Sequence, residues 1–381
     1  MIVAVAGDKI DKNRITFAGI VSALIIFCLP FCTISIAGIG LLFLLGLPLL
    51  ALTFINVFND YWHKPVKEYA AWLFVFFAYS FLSMLWAPDV SSNTVYTYVK
   101  VFCVTICLVT NEYLEADKKM MIIASACSCI LICVFILTGA YGVGYIEGRA
   151  TIAVFGVAQD PNYIAYVFYF TIAILINCLI HAESFALKCF SLLLVSLILL
   201  CVLLTGSRGA TASVIVLTVA LILFKNNKSP KIILATIIVA VAILVIFPKI
   251  VQYLPSEIAN RYTYHQIFET NATGRTVIWK HSLKAIFENF STATFGYGIG
   301  TSVAVVGRAT HNHFLQIWVE EGIIGLIIYL GFLVRLFGEL RKNSNVICSC
   351  VLIAAVVMSL TLSTNTSYYY WGIVAMCVAC R

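Results

Sequence analysis

Four ionisable side chains lie at the start of a long apolar segment late in the chain. His311, His313, Glu320 and Glu321 come just before the run Gly322–Gly338, in which almost every residue is apolar. A helix that begins near His311 would keep this imidazole neutral, because a helix N-terminus disfavours positive charge, and a neutral ring can accept a proton. At least one carboxylate, about 15 Å further along, must face a bundle interior or a wet cavity. An alternative, with both histidines at a membrane interface and arginines paired with the glutamates, stays open.

A second group of candidates consists of arginines that suit a phosphate-bearing ligand. Arg208 stands in Thr-Gly-Ser-Arg-Gly between two apolar segments, and Arg275 opens an amphipathic helical pattern. Small neighbours let a bulky anion approach Arg208, and a planar guanidinium can hold phosphate oxygens through two hydrogen bonds. Two such arginines that converge would suit a diphosphate. Arg149, Arg261 and Arg308 are interpreted as interface arginines that snorkel or bind lipid phosphates, with Arg308 retained as a candidate substrate contact.

Polar residues next to these groups supply further candidates. Asp160 and Asn162 flank a proline that starts an apolar segment. Helix capping by Asp160 and an additional contact with a sugar or diphosphate fit this position equally well. Asn312 follows the first histidine, and His313 competes with His311 as the base. A zinc site is disfavoured, because helical residues two apart point to different sides and no third ligand at a suitable spacing is evident.

The composition indicates which elements must position these residues. The chain has 381 residues, 62% of them hydrophobic and 11% charged, with a mean hydropathy of +1.01. A soluble domain is excluded, because a water-facing surface needs more charge. Recurrent apolar runs of about 20 residues predict an all-α, polytopic membrane bundle. We predict about twelve spans, near residues 15–34, 36–57, 69–86, 95–112, 121–139, 162–181, 186–205, 209–224, 231–248, 311–334, 346–363 and 367–380.

The distribution of Lys and Arg predicts how the spans are oriented. With the N-terminus in the cytoplasm, fifteen of the twenty-four basic residues fall on the cytoplasmic side. Both termini are then cytoplasmic, and the first span is interpreted as a retained anchor. Three parts are expected: an N-terminal bundle of about nine helices (1–248), a large outer loop with short amphipathic helices (249–310), and C-terminal membrane helices (311–381).

The loops and the cysteines narrow the classes of function. None of the fourteen cysteines falls in a loop predicted to lie outside, so no structural disulfide is expected. The cytoplasmic connections are too short for an ATPase, and no phosphate-binding glycine loop appears, which disfavours ATP-driven transport within this chain. The segment 295–302 has glycine at every second position, which predicts a tight turn close to another backbone or a ligand.

Taken in order, these motifs make the chain resemble the bacterial O-antigen ligase and O-antigen polymerase superfamily. The most specific motif is His-Asn, nine residues, Gly, two residues and Gly, which falls on His311, Asn312, Gly322 and Gly325. Ser-Arg-Gly at 207–209 and Gly-Arg-x₃-Trp at 274–279 also match. The resemblance extends over nearly the whole length of the chain.

The resemblance implies a multi-spanning membrane glycosyltransferase that works without a metal, a cofactor or a nucleotide sugar. Such an enzyme takes a glycan from undecaprenyl diphosphate on the outer, periplasmic face of the inner membrane and joins it to a hydroxyl of a second glycan. His311 is then the general base, Arg208 and Arg275 hold the diphosphate, and attack from the far side inverts the anomeric carbon. The remaining candidates become substrate contacts: Asp160, Asn162, Arg308, Asn312 and His313.

The partners follow from the same resemblance, and two alternatives stay open. The lipid bilayer, a lipid-linked donor, an acceptor glycan and a chain-length regulator are implied, whereas no nucleic acid is. A surface polysaccharide polymerase is favoured over a ligase that acts on the lipid A core of lipopolysaccharide, since the outer loop is modest for a bulky phosphorylated core. The other alternative is a lipid-linked oligosaccharide flippase or another secondary transporter. Transporters place substrate groups near the membrane midplane, often in paired repeats, and the chain shows no internal repeat.

Overall fold

The computed structural model of the protein describes residues 14–58, 64–88, 90–138, 143–146, 148–154, 157–225, 249–263, 266 and 274–381. Most of the chain is helical, as predicted. The described helices, in chain order, are α1 (Phe17–Phe27), α2 (Leu41–Phe58), α3 (Lys64–Leu82), α4 (Ser92–Thr110), α5 (Glu115–Thr138), α6 (Pro161–Ile164), α7 (Phe168–His181), α8 (Phe185–Leu204), α9 (Arg208–Lys225), α10 (Ser256–Arg261), α11 (Arg275–Ile286), α12 (Phe290–Phe295), α13 (Ser302–Val306), α14 (His313–Lys342), α15 (Val346–Ser359) and α16 (Tyr368–Ala379).

Many of these helices have the length and composition of membrane spans. Six are long and apolar enough to cross a membrane, namely Glu68–Leu85, Ser92–Thr110, Glu115–Thr138, Pro161–His181, Phe185–Leu204 and His313–Lys342. Five shorter apolar helices accompany them, namely Phe17–Phe27, Leu41–Asn56, Arg208–Phe224, Val346–Ser359 and Tyr368–Ala379. The protein is therefore a helical membrane protein. The predicted span 231–248 lies outside the described residues, so the count of twelve stays a prediction, as does the division into three parts.

Five short strands among the described residues depart from the all-α prediction. β1 (Ser35–Ile36) and β2 (Ile39–Gly40) form a hairpin between α1 and α2. β3 (Val143–Ile146), β4 (Arg149–Val154) and β5 (Val157–Ala158) form an antiparallel sheet in that order. The segment Arg-Ala-Thr-Ile-Ala-Val of β4 contains β-branched residues, which favour extended backbone. The purely helical prediction is wrong for these two connections.

The C-terminal helices pack into the N-terminal part of the bundle. α14 packs against α3, α15 against α9 and α7, and α16 against α4. A cluster of buried aromatic rings fills the centre, and Trp371 of α16 contacts both Phe76 and Tyr329 there. The connection between α15 and α16 is thereby held beside the start of α14.

Short helices crowd the end of the bundle at which α3 and α8 end and α9 and α14 begin, which we call the loop end. Here α11 buries Ile278 and Ile286 in a small second core. By contrast, Val277, Leu283 and Phe287 remain exposed. Exposed apolar side chains on a short amphipathic helix are typical of helices that lie at a membrane surface. The predicted amphipathic helix within 273–290 is confirmed.

A kink in α14 is paired with the glycine-rich turn. Gly322 has a φ of 67° and a ψ of −172°, so the backbone leaves helical geometry there. The N–H groups of Tyr297 and Gly298 donate to the carbonyl oxygens of Val319, at 2.9 Å, and Glu320, at 2.7 Å. These carbonyls lose their helical donors at the kink and need substitutes. The predicted tight turn against another backbone is therefore confirmed.

Gly322→Ala is expected to destabilise the protein by about 2–4 kcal/mol. A Cβ atom at this position would lie 2.2 Å from the carbonyl oxygen of Thr294, and the left-handed φ adds strain of its own. Gly338→Ala is the matched control in the same helix, because its Cβ would meet nothing within 4 Å. Thermal unfolding in detergent measures both. Equal midpoints for the two variants would mean that the kink does not need glycine.

The fourteen cysteines of the chain are all free thiols. Cys377 is buried, for example, and its thiol donates to the carbonyl oxygen of Cys348 over 3.6 Å between α16 and α15. Thiols in such positions act as small apolar side chains of a helical core.

Candidate active site

His311 lies just before the N-cap of α14, in an unusual backbone conformation. Its φ is 47°, in the left-handed region that non-glycine residues rarely adopt. Asn312 is the N-cap, and its side-chain oxygen accepts the N–H of Leu315 at 3.1 Å. The helix thus begins two residues later than predicted, and the imidazole belongs to the loop end. Residues held in strained conformations cluster at functional sites.

Neighbouring elements fix the backbone of His311. The hydroxyl of Ser363 accepts its N–H at 3.1 Å and shares a 3.0 Å hydrogen bond with the hydroxyl of Thr310. The indole N–H of Trp279 donates to the carbonyl oxygen of Thr310 at 3.1 Å. The hydroxyl of Tyr163 donates to the carbonyl oxygen of Ser363. Residues from α6, α11 and the α15–α16 connection therefore set the position of the histidine.

The surroundings of His311 favour its neutral form. Burial lowers the pKa of the imidazole below its ordinary value, and the positive charge of Arg275 lowers the pKa further. The carboxylate of Asp160 acts in the opposite sense. A group with a lowered pKa stays deprotonated to more acidic pH, so the ring can accept a proton near neutrality. The causes are burial and a guanidinium, rather than the helix N-terminus on which the sequence argument relied.

Three arginines from different elements approach one another at the loop end. Arg275 begins α11, Arg208 begins α9, and Arg261 ends α10. Burial lowers the pKa of the Arg275 guanidinium, as do the charges of Arg208 and Arg261, while Asp160 opposes them. Positive charges held together in a partly buried place create a potential that attracts anions. The arrangement can therefore bind a ligand that carries more than one negative charge.

Two arginines donate hydrogen bonds to the backbone of the turn between α8 and α9, which contains Gly206. Arg149 donates from Nε to the carbonyl oxygen of Thr205 at 2.8 Å, and Arg261 donates from Nε to that of Gly206 at 3.0 Å. A Cβ at Gly206 would lie 3.2 Å from a side-chain carbon of each arginine, and its φ is 57°. Arg149 is only 5% exposed, so its interpretation as an interface arginine is wrong.

Asp160 caps α6, and its negative charge raises the pKa of His311 and of Arg275. Its carboxylate accepts the backbone N–H and the side-chain amide of Asn162, both at 2.8 Å. The amide oxygen of Asn162 in turn accepts a hydrogen bond from Arg149 at 2.8 Å. The capping role that the sequence left open is confirmed, and a ligand contact for either residue stays a prediction.

Two further candidates lie apart from this cluster. His313 is fully buried, and its ring contacts those of Tyr329 and Tyr370, with centroids 4.8 and 5.2 Å away. Arg308 is exposed and follows the residue that caps α13. No hydrogen bond among the described residues connects either side chain to His311. Both stay sequence predictions and are left out of the mechanism below.

At least one of the two carboxylates of α14 was predicted to face a bundle interior or a wet cavity, and both are buried. Glu320 is 1% exposed and Glu321 is fully buried. Their partners are uncharged: Tyr98 donates to Glu320 at 2.8 Å, and Asn365 donates to Glu321 at 3.3 Å. The alternative in which arginines pair with these glutamates is therefore wrong for the described part of the chain.

The residues that hold His311 could not be singled out from the sequence. Trp279 is part of the Gly-Arg-x₃-Trp motif, so the motif marked it without giving it a role. Ser363 lies in the polar segment Ser-Thr-Asn-Thr-Ser between two apolar runs, where one residue of several cannot be singled out. Its position, about fifty residues from His311, is a property of the packing of α14, α15 and α16.

Comparison with known families bears on these residues together. Residues 193–330 match the model of a family described as O-antigen ligase. This part of the chain resembles an O-antigen ligase domain. The resemblance to the O-antigen ligase and polymerase superfamily is thereby confirmed. The matched segment begins inside α8 and ends inside α14, so it contains Arg208, Arg275 and His311. No curated protein matches the chain.

Proposed function

We propose that this protein of the O-antigen ligase type is an inner-membrane glycosyltransferase. It transfers a glycan from undecaprenyl diphosphate to a hydroxyl of an acceptor glycan on the periplasmic face. One observation carries the proposal: a half-buried imidazole, that of His311, lies close enough to the Arg275 guanidinium for this charge to lower its pKa, and Arg275 in turn neighbours Arg208. The orientation that this function requires places the loop end in the periplasm and both termini in the cytoplasm.

His311 acts on the acceptor. A sugar hydroxyl is a weak nucleophile, and a neutral imidazole within hydrogen-bond reach removes its proton as the new bond forms. The acceptor oxygen bonds to the anomeric carbon while the bond from that carbon to the diphosphate oxygen breaks. Because the nucleophile and the leaving group lie on opposite faces, the anomeric configuration inverts. The proton remains on the imidazole until it passes to solvent.

Arg208 and Arg275 act on the leaving group. Departure of undecaprenyl diphosphate increases the negative charge on its terminal phosphate. Guanidinium groups already fixed at that place stabilise this charge without reorganisation, which is how fixed donors accelerate a reaction. These residues would thus supply the charge that a bound cation supplies in other transferases.

The acceptor decides between a polymerase and a ligase. Both activities need the same clamp for the donor, so the three residues discussed above fit either one. The short helices α11, α12 and α13 form a compact cover at the loop end, which suits a second lipid-linked repeat unit better than a branched, phosphorylated core. A polymerase of surface polysaccharide is therefore the favoured form.

Purified protein in proteoliposomes, with a lipid-linked repeat unit as donor, tests this function. With the same unit as acceptor, we expect chain growth and an inverted anomeric configuration in the product, seen by mass spectrometry and NMR. Growth only after addition of lipid A core would assign a ligase instead. Movement of the lipid-linked unit across the bilayer without any new glycosidic bond would identify a transporter and reject the proposal.

Ser363→Ala is expected to lower turnover by about 10–100-fold, because a misplaced catalytic group loses rate steeply. The variant removes the hydroxyl that bonds both His311 N–H and Thr310. The matched control is Ser359→Ala, which loses a single hydrogen bond to the carbonyl oxygen of Val356 at the end of α15. Since Ser363 only positions the histidine, the pH dependence of the remaining activity should be unchanged. Normal turnover in Ser363→Ala would show that this anchor is dispensable.

A further inference from the structure

A buried polar network surrounds the two carboxylates of α14, below the candidate site. We call it the glutamate cluster and define it as Glu320, Glu321, Gln316, Tyr98 and Asn365. The hydroxyl of Tyr98 donates to Glu320 at 2.8 Å and accepts from the side-chain amide of Asn365 at 3.0 Å. The same amide donates to Glu321 at 3.3 Å. The cluster thus joins α14 to α4 and to the α15–α16 connection.

The charge of Glu320 is well satisfied by neutral donors. Its two oxygens accept hydrogen bonds from Tyr98, from Ser302 at 2.5 Å and from the amide of Gln316 at 3.2 Å. A carboxylate with several donors can remain ionised in a buried place. Glu320 therefore needs no further ligand to stay charged.

Glu321 and two amides, by contrast, leave acceptor oxygens unused. Glu321 Oε2, Gln316 Oε1 and Asn365 Oδ1 are buried and have no hydrogen-bond partner among the described residues. Glu321 is fully buried and Asn365 is 1% exposed. The salt bridges found in the described part of the chain lie elsewhere, between Lys118 and Glu115 and between Arg335 and Glu68. These three oxygen atoms can only accept hydrogen bonds, and no residue of the glutamate cluster carries a positive charge.

We propose that the glutamate cluster binds one monovalent alkali cation through Glu321 Oε2 and the amide oxygens of Gln316 and Asn365. A carboxylate buried at membrane depth is expensive without a counter-charge and marks a functional site by default. A proton on Glu321 would supply a single donor for these acceptors, whereas a hard cation takes several oxygen ligands at once. With Glu320 already satisfied by three donors, one free carboxylate oxygen remains, which suits a single positive charge.

The glycines of the His-Asn motif have a structural role around this cluster. A Cβ at Gly325 would lie 2.4 Å from Cβ and 2.8 Å from Oε2 of Glu321, so only glycine leaves room for this carboxylate. The kink at Gly322 lies directly after the two glutamates. Because two of the proposed ligands belong to α14 and the third is Asn365, a bound cation would fix the half of α14 that leads to His311 against the α15–α16 connection. Its loss should loosen that half of the helix.

Thermal unfolding of the full-length protein in detergent tests the proposal, at constant pH and ionic strength. The midpoint is measured in choline chloride and in lithium, sodium and potassium chloride. One alkali cation should raise the midpoint by about 3–6 °C over choline, with a saturable dependence on its concentration. Glu321→Gln should unfold at a higher temperature than the wild type in choline and should no longer respond to the cation.

Two further variants keep this test decisive. Glu183→Gln removes a carboxylate that is exposed between α7 and α8, and it should respond like the wild type. Gln316→Leu removes one proposed ligand and should shift half-saturation to at least about tenfold higher cation concentration. A midpoint that is the same in choline and in every alkali salt overturns the proposal. So does a midpoint that responds to pH but not to alkali cations, because Glu321 then carries a proton.

Discussion

Replacement of His311 is expected to lower turnover of the lipid-linked donor by about 10²–10⁴-fold, the usual contribution of a general base. His311→Ala removes the base but also places a less tolerant residue at a φ of 47°. His311→Asn is the sharper variant, because asparagine adopts left-handed backbone more readily than other residues with a Cβ. A similar loss in both variants isolates proton transfer from backbone strain.

The pH dependence of the wild-type reaction belongs to the same prediction. Burial and Arg275 lower the pKa of His311, so activity should fall on the acid side at a pH below the ordinary histidine value. Asp160→Asn removes a carboxylate that raises this pKa, so the acid limb should move to still lower pH. Asparagine also caps a helix well, which keeps the start of α6 intact. A limb that moves to higher pH in Asp160→Asn would contradict the assignment.

His313 provides the internal comparison for this experiment. Its ring packs against Tyr329 and Tyr370 in the buried aromatic cluster, so a change there acts on stability. His313→Phe should change the unfolding midpoint and leave the acid limb of the pH profile where it is. If His311→Asn keeps near-normal turnover while His313→Phe abolishes it without unfolding, the roles of the two histidines are reversed.

The sequence predicted a structural feature correctly where the residue types allow only one stable arrangement. Long apolar runs predicted the helices, because only helices satisfy every backbone group in lipid. The alternate glycines of 295–302 predicted a close backbone approach, and the structure places Gly296 and Gly298 against α14. At least one of Glu320 and Glu321 had to face a bundle interior or a wet cavity, and both are buried. In each case a local pattern leaves a single stable solution.

Partners of a buried polar group could not be predicted in the same way. Arg149 resembles an interface arginine in the sequence, yet β4 turns it inward, where Thr205 and Asn162 accept its hydrogen bonds. The arginine pairing considered for the glutamates failed for the same reason, since Tyr98 comes from α4 and Asn365 from the α15–α16 connection. The sequence does not show which group a hydroxyl or amide in an apolar run will bond to, because the packing of the whole bundle decides which groups meet. The position of Arg261 was not predicted either, because it depends on the hydrogen bond from its Nε to the carbonyl oxygen of Gly206 in the turn between α8 and α9.

Arg208 and Arg275 give the second large prediction, a loss of about 10²–10³-fold in turnover for each alanine variant. The factor is that measured when one fixed donor to a developing anion is removed. Arg208→Lys and Arg275→Lys keep the charge but lose the planar pair of donors, so lysine should restore only a small part of the rate. Lys284→Ala is the control, because Lys284 is an exposed cation in α11, the helix that Arg275 begins.

The double variant distinguishes a shared ligand from two independent effects. If both guanidiniums hold one diphosphate, removal of the second costs less than removal of the first, so the losses in Arg208→Ala/Arg275→Ala combine to less than their product. The losses should fall mainly on kcat, because the charge on the leaving group grows in the transition state. Unfolding midpoints must accompany the rates, since Arg208 also donates to the carbonyl oxygen of Gln266 at 2.9 Å. Lysine variants with full activity, or losses that multiply without any interaction, would mean that the two arginines do not grip the same phosphates.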